Sequence, residues 1–329
     1  MTPIGRRAFL GGLAAGAVAL PAWARIAGRD IRFAPDKELM VPVEGGSVYV
    51  RVNGDLKGKL PPLIYAHGGP GGDHSGLLPL TALAQERAVI LWDQLDSGRS
   101  DAPLDPKNWK VSRFVDEIDR IRDALGITRW HVGGGSWGGT LAIEYGARRR
   151  PDTASLIVQS PLVSTKSWLA DANLLRSQMP AEARTTLEKC DTAAPPPAET
   201  CEAATWDFYR RHVIRSQRAD GIADYRAKAP RDAGDTLYNR MWGKAEFVST
   251  GTLRDYDGEP LLAKLDGPKT LFVCGEYDEA RPETVAKFAA RVPGATFREV
   301  MGSAHSILSD QPDAYLALLR DWMARHDAV

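Results

Sequence analysis

The chain alternates short apolar runs with helix-periodic segments. Valines alternate with other residues over 41–52, which predicts an opening hairpin of two strands. Continuous apolar or β-branched runs follow at 61–66, 88–92 and 154–159, as is typical of strands buried on both faces of a sheet. Between them, apolar residues over 111–125 recur at helical spacing. This order of elements predicts an α/β fold with a mostly parallel central sheet.

The alternation stops between residues 162 and 253, where the sequence is helical, polar and aromatic. It resumes with strand patterns at 270–274 and 296–300. We therefore expect residues 25–161 and 254–329 to form one α/β core. Residues 162–253 are predicted to form an inserted helical cap over the carboxyl ends of its strands.

The first 24 residues have the pattern of an export signal. Arg6 and Arg7 precede an apolar stretch from 8 to 20, and Ala-Trp-Ala ends the segment. A membrane-spanning helix needs about 20 apolar residues, more than this stretch contains. Paired arginines before a short apolar core are typical of twin-arginine export. We therefore expect residues 1–24 to be removed and the mature protein to be periplasmic or secreted, without a membrane anchor.

Charge and cysteine content narrow the classes of partner and compartment. Basic and acidic residues are equal at 42 each, so no excess of positive charge indicates a nucleic-acid partner. Cys190 and Cys201 are separated by ten residues rich in proline and alanine, and in an exported protein they form a plausible disulfide. Cys274 lies in a strand-like run and is interpreted as a small buried hydrophobic residue.

The most specific chemical pattern is the Gly134-x-Ser136-x-Gly138 sequence between a strand pattern and a helix pattern. A strand that turns sharply into a helix strains its turn residue, and glycines on either side let the backbone close up. The turn presents the serine hydroxyl above the sheet, with the N–H of Trp137 at the helix start, where the dipole favours an oxyanion. Taken alone, this stretch is also compatible with a phosphate-binding or merely tightly packed turn.

A serine nucleophile needs a base, and the base needs an acid that orients it. Of the six histidines, His305 follows a strand pattern in a Gly-Ser-Ala-His-Ser loop. Asp278 follows the strand pattern at 270–274 in Gly-Glu-Tyr-Asp. The order of serine, aspartate and histidine, each after a strand, predicts a triad of Ser136, Asp278 and His305.

The sequence His-Gly-Gly-Pro-Gly-Gly at 67–72 is the second specific motif. Its glycines let backbone N–H groups approach a substrate oxygen closely. We expect the N–H of Gly69, or that of Gly68, to form an oxyanion hole with the N–H of Trp137. His67 is interpreted as a hydrogen-bonded structural residue.

Five motifs together resemble the proline iminopeptidase family of α/β-hydrolase serine peptidases, nearest to the branch with the tricorn-interacting aminopeptidase factor and bacterial L-amino acid amidases. They are H-G-G-P-G-G, D-Q-x-x-S-G-R-S, G-G-S-W-G-G, G-E-Y-D and G-S-x-H. The resemblance covers residues 41–323 and implies release of an N-terminal residue, proline or another small apolar one. The implied substrates are short peptides, amino-acid amides or arylamides, and no metal or other cofactor is expected. Asp96 stands where the family usually has glycine, and we expect a small local change there.

The resemblance also implies a cap site for the free amine of the substrate, because relatives use cap glutamates for it. The segment 241–247 resembles the stretch that carries one of them, which indicates Glu246. The segment around Glu202 resembles the stretch that carries the other cap glutamate. Trp242 and Phe247 are expected to line the pocket for the N-terminal side chain. Ordinary charges on a helix surface are the alternative for both glutamates.

Two other functions are compatible with the motifs. An esterase or lactonase would use the same triad, and only substrate assays would distinguish it. A non-catalytic binding protein on a hydrolase fold is disfavoured because all three triad residues are present. Epoxide hydrolases and dehalogenases of this fold are disfavoured because they use an aspartate in the place of Ser136.

Overall fold

The fold is organised around one eight-stranded sheet. The computed structural model describes residues 31–192, 194–217, 221–228 and 232–328, and the predicted export signal lies outside these ranges. The strands are β1 Lys37–Val43, β2 Gly46–Asn53, β3 Leu63–Ala66, β4 Val89–Trp92, β5 Trp130–Gly135, β6 Thr153–Gln159, β7 Thr270–Gly275 and β8 Thr296–Val300. Their order in the sheet is β1-β2-β4-β3-β5-β6-β7-β8. The β1–β2 and β2–β4 pairs are antiparallel and all others are parallel, so the predicted mostly parallel sheet is confirmed.

Helices cover both faces of the sheet. They are α1 Val111–Leu125, α2 Trp137–Ala147, α3 Thr165–Ser177, α4 Ala181–Cys190, α5 Ala198–His212, α6 Ile222–Ala227, α7 Asp232–Met241, α8 Pro282–Ala290, α9 Ile307–Asp310 and α10 Pro312–Ala324. Apolar side chains of α1, α2 and α8 pack on one face. Those of α10 and of the 3₁₀ segment His74–Gln85 pack on the other. No helix in the described ranges is long and apolar enough to cross a membrane.

Helix α1 shows how the sequence pattern produces this packing. Phe114, Ile118 and Ile121 lie at spacings of four and three residues, so they share one helix face, and all three are fully buried. The helix ends at Gly126, whose φ of 65° is left-handed. Glycine adopts this conformation without steric cost, and its N–H closes the last turn.

The cap consists of α3 to α7, between β6 and β7. Ser164 and Asp257 form an isolated bridge, so the chain leaves and rejoins the core at one place. The cap has its own apolar cluster, which includes Leu187 and Phe208. A disulfide joins Cys190 at the end of α4 to the first turn of α5, with a Cα–Cα distance of 5.8 Å.

Asp96 adopts a left-handed backbone with φ of 64°, as its position in place of a glycine predicts. Its buried carboxylate accepts hydrogen bonds from Trp109 Nε1 and from the backbone N–H of Leu104, each over 2.8 Å. The aspartate therefore ties down the loop that follows β4.

Candidate active site

Ser136 lies at the sharp turn between β5 and α2, with φ of 58° and ψ of −122°. This strained conformation requires glycine on both sides. A Cβ atom on Gly134 would collide with the carbonyl group of Gly138, and one on Gly138 would collide with the carbonyl group of Ala66. The local sequence therefore forces the serine side chain out at the carboxyl edge of the sheet.

The structure brings the three predicted triad residues to this edge. Asp278 follows β7 and His305 follows β8, and His305 Nδ1 lies 2.8 Å from Asp278 Oδ1. Ser136 and His305 line the same cavity, which has a volume of about 250 Å³. This is the arrangement of a nucleophile, a base and an orienting acid.

The Asp278 carboxylate is held by further donors. Oδ2 accepts a hydrogen bond from Ser160 Oγ over 2.5 Å and from the N–H of Gly275 over 3.0 Å, and Oδ1 accepts one from the N–H of Ala280 over 2.9 Å. Ser160 was not predicted from the sequence. Its φ of 44° is a conformation that favours glycine, and a serine after a strand pattern gives no sequence signal of that strain or of its contact with Asp278.

The neighbours of His305 favour its protonated form. Burial alone would lower its pKa, but the carboxylates of Asp278 and Glu246 outweigh burial and raise the pKa above its ordinary value. Trp168 contacts the imidazole edge-on, with ring centroids 5.6 Å apart. The site thus stabilises the imidazolium that forms when a serine proton is transferred to this base.

The glycine loop approaches Ser136 closely. Gly68 and Gly69 line the cavity, and a Cβ atom on Gly68 would lie 3.2 Å from the Ser136 Cβ. His67 fixes the loop: its Nε2 accepts the Gln94 N–H over 3.0 Å, and its Nδ1 donates to the Gly68 carbonyl over 2.8 Å. Burial lowers the pKa of His67, which suits this neutral, structural role.

Glu246 lies at the cavity wall, as predicted for a residue that reads the substrate amine. Tyr238 donates its hydroxyl to Glu246 Oε1 over 2.9 Å, and Trp168 Nε1 donates to the Glu246 carbonyl over 2.9 Å. Burial raises the pKa of Glu246, while His305 and the Tyr238 hydrogen bond oppose that rise. A cation beside this carboxylate would therefore be bound and would favour its ionised form.

A second buried carboxylate, Glu279, was not predicted from the sequence. Its side chain is 1% exposed, and Oε1 lies 3.9 Å from His305 Nε2. Neither carboxylate oxygen has a hydrogen-bond partner within the described ranges. Burial, followed by the charges of Glu246 and Asp278, raises the pKa of Glu279 well above its ordinary value. Its position directly after the triad acid is the only sequence signal that could have indicated it.

The structure does not support three predicted substrate-binding residues. Glu202 is exposed on α5, because that helix turns Ala204 and Phe208 toward the cap interior and leaves Glu202 on the opposite side. Trp242 and Phe247 are buried in apolar clusters and are not among the residues that line the cavity. They support the turn that carries Glu246 and do not form the pocket wall.

The remaining cavity wall combines apolar and charged groups. Leu77, Ile307 and Leu308 supply apolar surface, and Asp73 and Arg226 supply a charge pair. No group of three or more His, Cys, Asp or Glu side chains in the part of the chain that the structure describes could hold a metal ion.

Comparisons with known proteins agree with this geometry. The alpha/beta hydrolase fold family matches residues 61–312. A proline iminopeptidase of Heyndrickxia coagulans is 35% identical over 286 residues, covering 87% of this chain and 98% of that protein. The crystal structure of a proline iminopeptidase from Mycobacterium smegmatis has a TM-score of 0.81 at 32% identity, covering 88% of this chain and 99% of that one. The crystal structure of VinJ has a TM-score of 0.82 at 32% identity, covering 89% of this chain and 100% of that one.

Proposed function

The chain belongs to the α/β-hydrolase family, in the group that contains the proline iminopeptidases, and we propose that it is a serine aminopeptidase. It releases an N-terminal residue, proline or another small apolar one, from short peptides, amides or arylamides. The observation that carries this proposal is Glu246 at the wall of the cavity that contains Ser136, with the buried carboxylate of Glu279 behind it, 3.9 Å from Nε2 of the triad base His305. An ester or lactone without an amine offers no cation to these carboxylates.

The triad geometry supports an acyl-enzyme mechanism. Ser136 Oγ attacks the scissile carbonyl and His305 takes its proton, while Asp278 orients the imidazole. The backbone N–H of Trp137, with that of Gly69 or Gly68, donates a hydrogen bond to the oxyanion that develops. The leaving amine departs with the proton from His305. Water then attacks the acyl-enzyme with His305 as base, which frees the amino acid and restores Ser136.

The carboxylate pair supplies the selectivity for a free N-terminus. Two like charges in a buried site raise each other's pKa, and a cation between them removes this repulsion. A substrate ammonium, with three N–H donors or, for an N-terminal proline, two, meets that need and supplies partners for the unpaired oxygens of Glu279. An N-acylated substrate lacks the charge and keeps at most one N–H donor, so we expect it to be rejected.

Two observations support export of the mature protein. The Arg6-Arg7 pair precedes a short apolar stretch, which is typical of twin-arginine signals. The Cys190–Cys201 disulfide is of a kind that persists in oxidising compartments. We therefore propose that the mature enzyme acts in the periplasm or outside the cell.

The test compares prolyl and alanyl arylamides with their N-acetylated counterparts. We expect cleavage of the free-amine substrates only, and loss of several orders of magnitude in kcat for Ser136→Ala in a protein that remains folded. A fluorophosphonate probe should label the wild type and not the variant. Comparable cleavage of the acetylated substrates, or a preference for simple esters and lactones, would refute the aminopeptidase assignment.

A further inference from the structure

Gln159, the last residue of β6, lies between the strands that lead to the nucleophile and to the acid. In the sheet it is paired with Gly135 of β5 and with Val273 of β7. Its backbone carbonyl accepts a hydrogen bond from the N–H of Ser136 over 3.0 Å. Its side chain is buried and lines the cavity that contains Ser136 and His305. No step of the proposed mechanism uses this amide group.

The amide donates a hydrogen bond to the backbone of the base. Gln159 Nε2 lies 3.0 Å from the carbonyl oxygen of His305. The N–H of His305 is bonded to the carbonyl of His212 over 3.2 Å. The peptide groups on both sides of the His305 Cα are thus held, one by the sheet and one by the cap. Because the imidazole is in turn bound to Asp278, both the position and the rotation of the base are fixed.

The same nitrogen contacts the residue that supports the acid. Gln159 Nε2 donates to Ser160 Oγ over 3.4 Å, a longer contact than the one to His305. The Ser160 hydroxyl donates its single proton to Asp278 Oδ2, so its oxygen accepts from the amide. An amide nitrogen has two protons, which is the number that these two acceptors require.

A tyrosine determines which way the amide faces. The Tyr65 hydroxyl lies 2.9 Å from Gln159 Oε1, an atom that can only accept. Burial raises the pKa of Tyr65 well above its ordinary value, so Tyr65 keeps its proton at neutral pH and donates it here. The Tyr315 hydroxyl, 2.7 Å from that of Tyr65, must then donate to Tyr65. In the reversed orientation the amide oxygen would face the His305 carbonyl, and two acceptors repel each other.

Gly135 leaves room for the amide. A Cβ atom at this position would lie 2.8 Å from Gln159 Oε1. A side chain here would therefore displace the amide from Tyr65 and His305. Gly134 allows the turn at the nucleophile to close, whereas Gly135 allows the amide to lie against the end of β5.

We propose that Gln159 is a positioning residue that holds the nucleophile turn, the base and the support of the acid in one arrangement. Its carbonyl holds Ser136, and its amide nitrogen holds His305. Its contact with Ser160 steadies the donor to Asp278. This inference rests on the serine-hydrolase mechanism of the proposed function. Because Gln159 acts through these residues, loss of its amide should lower kcat and leave KM nearly unchanged.

The first test compares Gln159→Met with the wild type on alanyl and prolyl arylamides. Methionine has a side chain of similar length but no N–H donor for the His305 carbonyl. We expect kcat to fall about 10- to 100-fold with KM within about twofold, because a small displacement of the base has a large effect on the reaction. The rate constant for labelling of Ser136 by a fluorophosphonate should fall by the same factor, since this probe has no amine to be recognised.

A matched pair of tyrosine variants tests the inference without changing Gln159. Tyr65→Phe removes the hydroxyl that orients the amide, and Tyr315→Phe removes a hydroxyl one hydrogen bond further away. Both tyrosines are fully buried, so each variant loses one buried hydroxyl. We expect kcat and the labelling rate to be about 2- to 12-fold lower in Tyr65→Phe and close to the wild type in Tyr315→Phe. This comparison holds even if Gln159→Met does not fold.

A wild-type kcat in folded Gln159→Met would overturn the inference. So would a raised KM at unchanged kcat, which would mean that the amide binds substrate, or equal rates in the two tyrosine variants. The fluorophosphonate separates this failure from failure of the proposed function. If the arylamides are cleaved and labelling is unchanged in the variants, only the role of Gln159 falls. If labelling slows in the variants but no free-amine substrate is cleaved by the wild type, the aminopeptidase function falls and the role of Gln159 stands.

Discussion

Replacing Glu279 with glutamine would show whether the buried carboxylate pair binds the substrate amine. Glutamine keeps the size of the side chain and removes its charge. Both carboxylate oxygens of Glu279 lack a hydrogen-bond partner within the described ranges, so a substrate ammonium would supply their partner. A hydrogen bond to a charged group contributes about 1.5–3 kcal/mol. The variant should therefore lose about 10- to 150-fold in kcat/KM on free-amine substrates.

The assay must separate amine binding from an effect on the base, because Glu279 Oε1 lies only 3.9 Å from His305 Nε2. Steady-state kcat/KM is measured on an alanyl ester and on the matching propionyl ester, which lacks the amine. We expect a much larger loss on the alanyl ester. Glu202→Gln, an exposed cap glutamate, is the matched control and should behave as the wild type. Equal losses of Glu279→Gln on both esters would mean that this carboxylate acts through His305.

The same variant makes a second prediction, about stability. Burial, with the charges of Glu246 and Asp278, raises the pKa of Glu279. A carboxyl group whose pKa is higher in the folded than in the unfolded protein stabilises the fold while it is protonated. This stabilisation is fully present below the unfolded pKa of about 4.3 and is lost as the pH rises through the folded pKa. The glutamine of the Glu279→Gln variant has no such proton to lose. The Tm of the variant, relative to that of the wild type, should therefore increase as the pH rises. A Tm difference independent of pH would contradict the burial argument.

Three further predictions follow from the site and the cap. The pKa of His305 is raised because the carboxylates of Asp278 and Glu246 outweigh burial. The acid limb of the pH profile of kcat/KM should therefore lie above pH ~6.5, and an acid limb at a lower pH would contradict this. Ser160→Gly keeps the left-handed backbone but removes a donor to Asp278, so kcat should fall about tenfold with little change in KM, whereas a change in KM alone would refute the positioning role. Replacing Cys190 and Cys201 with serine should lower the free energy of unfolding by about 3 kcal/mol in the chain-entropy account, measured by denaturant titration, and an unchanged midpoint would contradict it.

The parts of the site that the sequence predicts are those fixed by local backbone geometry. The turn at Ser136 could be located because its glycines are required by contacts within a few residues and with one neighbouring strand. Asp278 and His305 could be located because each follows a strand pattern of the same sheet. The 3₁₀ segment His74–Gln85 had no such signal, since Pro79 lies within it and interrupts helical hydrogen bonding.

The parts that could not be predicted depend on how the cap packs against the core. Glu279 is an acidic residue in a loop, a pattern typical of an exposed residue, yet it is buried and its N–H is bonded to the carbonyl of His212 in the cap. Glu202 was expected in the site from a resemblance between helices, yet a difference of two positions along α5 turns a side chain to the opposite face. Arg226 has no motif at all. Its place in the cavity depends on a contact with Asp73, 153 residues away.

Hydrogen bonds connect the end of helix α5 in the cap to the two loops that carry Glu279 and His305. The carbonyl group of His212, at the end of α5, accepts hydrogen bonds from the N–H groups of Glu279 and His305 over 3.1 and 3.2 Å. The next residue, Val213, accepts one from Ser306 over 2.7 Å. One helix end therefore sets the positions of both the amine-side carboxylate and the base. Because these groups share one support, we expect a shift of α5 to move them together and to affect both substrate selection and proton transfer.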